Sequence, residues 1–154
     1  MAIVVGLHAS NGGVPKLPLD TLLVTVDGCD GDSQNDLKHH GGKDKAVCIL
    51  QQEIIDKLTE KGHPIGPGTT GENLLISGIQ VGMLSVGARL KIGSCELEIT
   101  QDAPPCKTIK QSFNDDNFML ISHKKFPNFT RWYAKVISEG EIVLGQEVNL
   151  TNSL

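Results

Sequence analysis

The stretch ARLKIGSCELEIT, residues 88–100, constrains the fold more than any other. Apolar and charged residues alternate on either side of Gly93 and Ser94. Successive side chains of a strand point to opposite faces. A two-residue Gly-Ser turn then sets Ile92 opposite Cys95, Lys91 opposite Glu96, Leu90 opposite Leu97 and Arg89 opposite Glu98. One face is apolar and the other carries two opposite-charge cross-strand pairs. Cys95 takes a core position in this register.

The remainder of the chain reads as short strands between glycine- and proline-rich loops. Residues 2–8 and 19–28, with their β-branched and aliphatic content, predict two strands. Residues 28–45 predict a long polar loop, of the kind that carries function or motion in a small domain. Residues 46–50 predict a buried strand. Residues 51–62 predict a helix with Ile54, Ile55 and Leu58 on one face and Gly62 at its C-terminal end. A loop follows over 62–73. Residues 104–113 predict a turn into a short helix, 114–127 irregular or helical chain, 128–140 a short helix mixed with a strand start, and 141–150 alternation around a turn at Gly145. Many short strands with one to three helices predict a mainly β domain over 1–154, built as a closed or partly open β-barrel and not from alternating βαβ units.

Composition narrows the classes. A chain of 154 residues holds one domain with a real core. A net charge of −4 argues against a general nucleic-acid binder, which would carry a basic footprint. No apolar run approaches the roughly 20 residues that cross a bilayer. The start lacks the basic segment and cleavage site of a secretory signal. Four cysteines without a C-x-x-C pair predict a cytoplasmic protein with reduced thiols. Cys48 and Cys95 are expected in the core and Cys29 in a loop.

Three segments can carry chemistry. In DAPPCKTIK, residues 102–110, Cys106 follows two prolines and is flanked by Lys107 and Lys110. At the start of a helix its thiolate would be favoured, as a nucleophile or a soft metal ligand; the alternative is a buried cysteine in a rigid loop. In HHGGKDKA, residues 39–46, Gly41 and Gly42 permit close backbone approach, and His40, Lys43 and Lys45 are side-chain donors for an anion; the alternative is an ordinary solvated turn. In TTGENLLI, residues 69–76, Glu72 and Asn73 either hold a strand start or meet a ligand. Zinc, Walker, nucleophile-elbow and dinucleotide patterns are absent from the sequence.

Taken in order, GGVPK (12–16), DGCDGD (27–32), HHGGKDKA (39–46), GHPIGPGTTGENL (62–74), GARLKIG (87–93), APPCKTI (103–109) and RWYAKVISEGEIVLGQEV (131–148) resemble the MOSC domain, named for the C-terminal domain of molybdenum cofactor sulfurases. The chain is similar to a small stand-alone MOSC protein, without the pyridoxal-phosphate-dependent cysteine desulfurase domain of eukaryotic sulfurases. The resemblance implies a strand-rich, barrel-like fold and a role around molybdenum cofactor (molybdopterin) or sulfur transfer. In relatives such as the mitochondrial amidoxime-reducing component, the cysteine of the P-C motif ligates molybdenum, a role that falls on Cys106. His40, Gly41, Gly42, Glu72 and Asn73 are implied as cleft residues, and Lys16, Lys43 and Arg131 as partners of the cofactor's phosphate. Two departures stand out. Many relatives carry Arg shortly before the P-C pair, where this chain has Asp102, Ala103 and Pro104; many close with Gly-Asp, where it has Gly145 and Gln146.

Three functions follow as expectations. One is a molybdenum-dependent enzyme that reduces N-hydroxylated small molecules with electrons from a separate reductase. A second is a sulfur carrier holding a persulfide on Cys106, served by a cysteine desulfurase. The third is a non-catalytic oxyanion-binding module. Neither nucleic acid nor membrane is expected as a partner.

Overall fold

Strands β7 (Arg89–Ile92) and β8 (Cys95–Ala103) form the expected hairpin, in the expected register from Ile92 opposite Cys95 to Arg89 opposite Glu98. Its charged face is a network and not two separate pairs. Arg89 reaches Glu98 at 3.0 Å and Glu96 at 3.4 Å, and Lys135 reaches Glu98 at 3.3 Å. The structure, a computed structural model, describes residues 1–32 and 42–152.

The other strands are β1 (Ile3–Ala9), β2 (Leu17–Pro18), β3 (Thr21–Thr25), β4 (Gly28–Cys29), β5 (Val47–Gln51), β6 (Leu74–Ser77), β9 (Arg131–Ser138), β10 (Gly140–Val143) and β11 (Asn149–Thr151). Eight of the eleven described strands make one sheet in the order β11-β7-β8-β9-β5-β6-β1-β2, and β10-β3-β4 make a second, smaller sheet. The fold is mainly β, but the large sheet does not close into a barrel. The segment just before β11 only reaches back to β1, through Val4 N–H to Gln146 O, Gly145 N–H to Val4 O and Val148 N–H to Ala2 O, each 2.8–2.9 Å. Among the described residues pairing is antiparallel except between β5 and β6, which the one α-helix there, α1 (Gln52–Glu60), connects. One βαβ crossover therefore sits inside an antiparallel frame, as a parallel pair requires.

Period-two alternation explains why β5 and β6 are buried on both faces. Ile49, Leu74 and Ile76 enter the main core with Leu22, Val24, Leu90, Ile92, Leu97, Trp132 and Ile142. Leu50 and Leu75 point the other way, onto Ile54, Ile55 and Leu58 of α1 and onto Ile109, Phe113 and Ile121. A nine-residue helix is marginal by itself. Burying three aliphatic side chains at roughly 1.5–3 kcal/mol each outweighs that deficit.

Two expectations change. No helix lies within 128–140: Arg131–Ser138 is strand throughout, because its branched and aromatic residues pair with β5 on one edge and β8 on the other. Cys29 is not a loop thiol. It pairs with Val24 across the β3–β4 turn, faces the core, and directs its sulfur to Ala46 O at 3.7 Å. Among the described residues no helix is long and apolar enough to cross a membrane.

Candidate functional site

The outer face of β5, β8 and β9 forms the floor of a cavity of ≈ 580 Å³. Alternation decides which residues reach it. Trp132 and Ala134 turn into the core, so Arg131 and Tyr133 turn outward. Tyr133 stands opposite Cys48 of β5 and Gln101 of β8, and Arg131 stands opposite Ala103. Cys48, Tyr133, Gln101 and Arg131 thus line one surface, with Ala103 packed against the first two. The walls are loop residues Gly13, Val14 and Lys16, then Thr70 and Gly71, and the segment from Pro104 to Ile109 that carries Cys106.

Cys106 precedes a 3₁₀ helix, Lys107–Ser112, in extended backbone geometry. It is partly exposed, unlike the other three cysteines, and its sulfur lies 2.8 Å from the Thr108 hydroxyl. Burial pushes the Cys95 thiol up to about 11 and raises Cys29 and Cys48 as well. Those thiols are held protonated. Cys106 is the thiol that solvent can reach.

Cations surround the cavity and no carboxylate lines it among the described residues. Arg131 is almost fully buried, yet among the described residues its guanidinium meets only neutral carbonyls. Nη1 donates to Thr70 O at 2.6 Å, and Nη2 donates to Pro104 O at 3.2 Å and Ala103 O at 3.4 Å. Its Nε–H is buried without a partner. Leaving such a donor unmade costs about 1–3 kcal/mol. Lys45 lies 5.5 Å from the centroid of the Tyr133 ring, a cation–π distance. The 3₁₀ helix Lys43–Lys45 that carries it is tied to β8 by the Thr100 hydroxyl donating to Asp44 O. Burial raises the Tyr133 phenol well above its ordinary value, with Cys48 and Cys106 adding to the shift and Arg131 opposing it. The phenol therefore keeps its proton.

Glu72 and Asn73 stand behind the wall and are not in the lining. The Glu72 carboxylate accepts from Gly68 N–H at 2.6 Å and from the Thr70 hydroxyl at 2.7 Å, which folds the 66–72 loop onto itself. Asn73 accepts from Cys48 N–H at 3.0 Å and donates to His8 O and to Asp32. Lys16 lines the cavity and pairs with Asp32 at 2.7 Å. The two loops can touch because residue 68 is glycine. Its φ is +79°, and a Cβ there would lie 2.5 Å from Lys16 O.

Of the residues singled out in the sequence, the structure brings Cys106, Lys107, Lys16, Lys45 and Arg131 together in one cavity. Gly42 and Lys43 are exposed and outside its lining, and His40 and Gly41 lie outside the described residues. Tyr133, Gln101 and Thr108 were not singled out. The signal for Tyr133 was present: in RWYA the residue two places after Arg131 shares its face.

Comparison with known proteins agrees with this frame. The chain is 26% identical to YflK of Bacillus subtilis (strain 168) over 140 residues, which cover 90% of the chain and 62% of that protein. It is 24% identical to protein YiiM of Escherichia coli (strain K12) over 134 residues, covering 84% of the chain and 59% of YiiM. The chain thus spans about three fifths of the length of these curated relatives. The crystal structure of the YUAD protein from Bacillus subtilis shares the fold, with a TM-score of 0.78 at 20% identity, over 100% of this chain and 98% of that one. The MOSC domain profile matches residues 36–149, a span that holds the floor strands, the 66–72 loop and Cys106, and the chain belongs to the MOSC domain family.

Proposed function

We propose that the protein binds molybdenum cofactor, with the Cys106 thiolate as a metal ligand, and reduces N-hydroxylated small molecules. The observation that carries this reading is the buried Arg131, which has an unpartnered Nε–H and no carboxylate partner, on the floor of a cavity that also holds a reachable thiol. A buried, uncompensated guanidinium suits an anion, and guanidinium is the side chain that best matches phosphate. A thiolate suits a soft metal. No group of three His, Cys, Asp or Glu side chains capable of holding a metal occurs among the described residues. The remaining ligands would therefore come from the bound group itself, which fits a metal delivered inside a cofactor.

In this reading Cys106 fixes the metal, and Arg131 and Lys16 hold the cofactor's phosphate. Glu72 and Asn73 keep the walls in place. When bound, the cofactor would supply a metal centre able to deliver the two electrons that break the substrate's N–O bond. Reduction of R–NHOH to R–NH₂ and water consumes two electrons and two protons, and the electrons come from a separate reductase. Tyr133 retains its proton at neutral pH and lines the cavity floor. The reducing cytoplasm, where Cys106 would stay a free thiol, is the proposed setting.

The test is elemental analysis of protein made in a host able to synthesise the cofactor. The wild type should carry molybdenum. Cys106→Ser and Arg131→Met should lose it while keeping their circular dichroism spectra. Molybdenum retained by Cys106→Ser overturns the reading. A mass gain of one sulfur on Cys106, without metal, would move the assignment to a persulfide carrier.

A further inference from the structure

Lys107 and Lys110 lie three residues apart in a 3₁₀ helix. At three residues per turn, positions i and i+3 eclipse, so both side chains leave the same face. Both line a second cavity of ≈ 500 Å³, whose lining does not include Cys106. Its polar wall is completed by Thr69, Gln111 and Ser112, and no carboxylate lines it among the described residues. Neither lysine makes an ion pair within the described residues. Like charges at this spacing repel, and one anion shared between them removes the repulsion.

The two cavities have Val14, Lys107, Thr108 and Ile109 in common. Thr108 faces both spaces, and its hydroxyl is the group 2.8 Å from the Cys106 sulfur.

We propose that this second cavity binds a phosphate monoester, so that the substrate is taken in phosphorylated form, with its phosphate on Lys107 and Lys110 and its reactive end directed over Thr108 to Cys106. A phosphate monoester carries close to two negative charges at neutral pH and matches two ammonium groups, whereas a carboxylate matches one. The volume lies in the range of small-molecule sites. What happens at Cys106 rests on the function proposed above; the phosphate site does not.

The test titrates the full chain by isothermal calorimetry with adenosine 5′-monophosphate and with adenosine, at low and at high salt. The monophosphate should bind roughly tenfold more tightly or better, and salt should erode the difference. Lys110 is exposed and lines only the second cavity, so Lys110→Ala should keep the fold and abolish most of the preference. Lys110→Arg should restore it, and inorganic phosphate should compete. Equal affinity for the two probes, or an unchanged monophosphate affinity in Lys110→Ala, overturns the proposal. These readouts need no metal, so the molybdenum content of Cys106→Ser is decided separately, and either idea can fail while the other stands.

Discussion

Lys16 Nζ lies 2.7 Å from Asp32 Oδ2, and both side chains are at most 5% exposed. The same carboxylate oxygen accepts from Asn73 Nδ2 at 2.9 Å, and the other accepts from Ser10 N–H at 2.9 Å. One carboxylate thus joins a cavity wall, the end of β1 and the start of β6. Its partner at the cavity is a buried ammonium, which water cannot compensate.

Asp32→Ala should therefore destabilise strongly, by about 3–5 kcal/mol, because removing one partner leaves the other charge buried alone. Asp32→Ala with Lys16→Met should recover a large part of that loss. Urea unfolding of the two single variants and the double variant measures the coupling. An additive double variant would show that the pair is not what holds these loops.

Gly68→Ala should cost far more than Gly66→Ala. At position 68 the backbone is left-handed and the added carbon meets Lys16 O at 2.5 Å; at position 66 the nearest atom is Thr69 Cγ2 at 3.9 Å and φ is ordinary. A left-handed conformation alone costs an alanine roughly 1–2 kcal/mol, before the clash. Lys16 N–H also donates to Gly68 O at 2.9 Å, so the strain falls on the contact between two cavity walls. Thermal melts of the two variants give the comparison directly.

Thiol chemistry should separate the four cysteines cleanly. Cys29, Cys48 and Cys95 are buried and held protonated, and Cys106 is partly exposed. Iodoacetamide at pH 8 should label Cys106 first in the native protein and all four after denaturation, as peptide mass spectrometry would record. Native labelling of Cys48 ahead of Cys106 would mean that the cavity floor is open to reagents.

Local pattern carried much of the fold. Residues 88–100 fixed their own register because the turn and the alternation agree, and 51–62 declared a helix through three aliphatic positions on one face. The sequence leaves closed and partly open sheets as alternatives, since closure depends on whether 145–148 pairs fully with β1, a contact more than 140 residues apart in sequence. Cys29 was misplaced because DGCDGD is polar by composition, while a two-residue strand turns that one side chain inward. At the site, Cys106 stands out in the sequence by its proline and lysine neighbours, whereas Arg131 is pointed to only by the family resemblance. The different jobs of Glu72 and Asn73 were not legible, because the sequence does not show whether a carboxylate meets a ligand or its own loop.

His8 gives the fold a pH dependence with a definite sign. Its ring is buried, Nδ1 has no hydrogen-bond partner, and Glu72 Oε2 is 4.0 Å away. Burial holds its pKa below the ordinary 6.5; Glu72 opposes that shift and Lys16 adds to it. At neutral pH the ring is therefore uncharged, and the 4.0 Å contact is not an ion pair. Unfolding releases His8 to its ordinary affinity for protons, so below pH 6.5 the unfolded chain binds more protons than the folded one. The contribution of His8 to stability is complete above pH 6.5 and is lost as pH falls from there toward the lowered folded value. Urea midpoints between pH 8 and pH 5 should decline in the wild type. In His8→Gln, which removes the titrating group at some cost in packing, the decline over that window should be shallower. Identical slopes for the two proteins would place the proton uptake elsewhere.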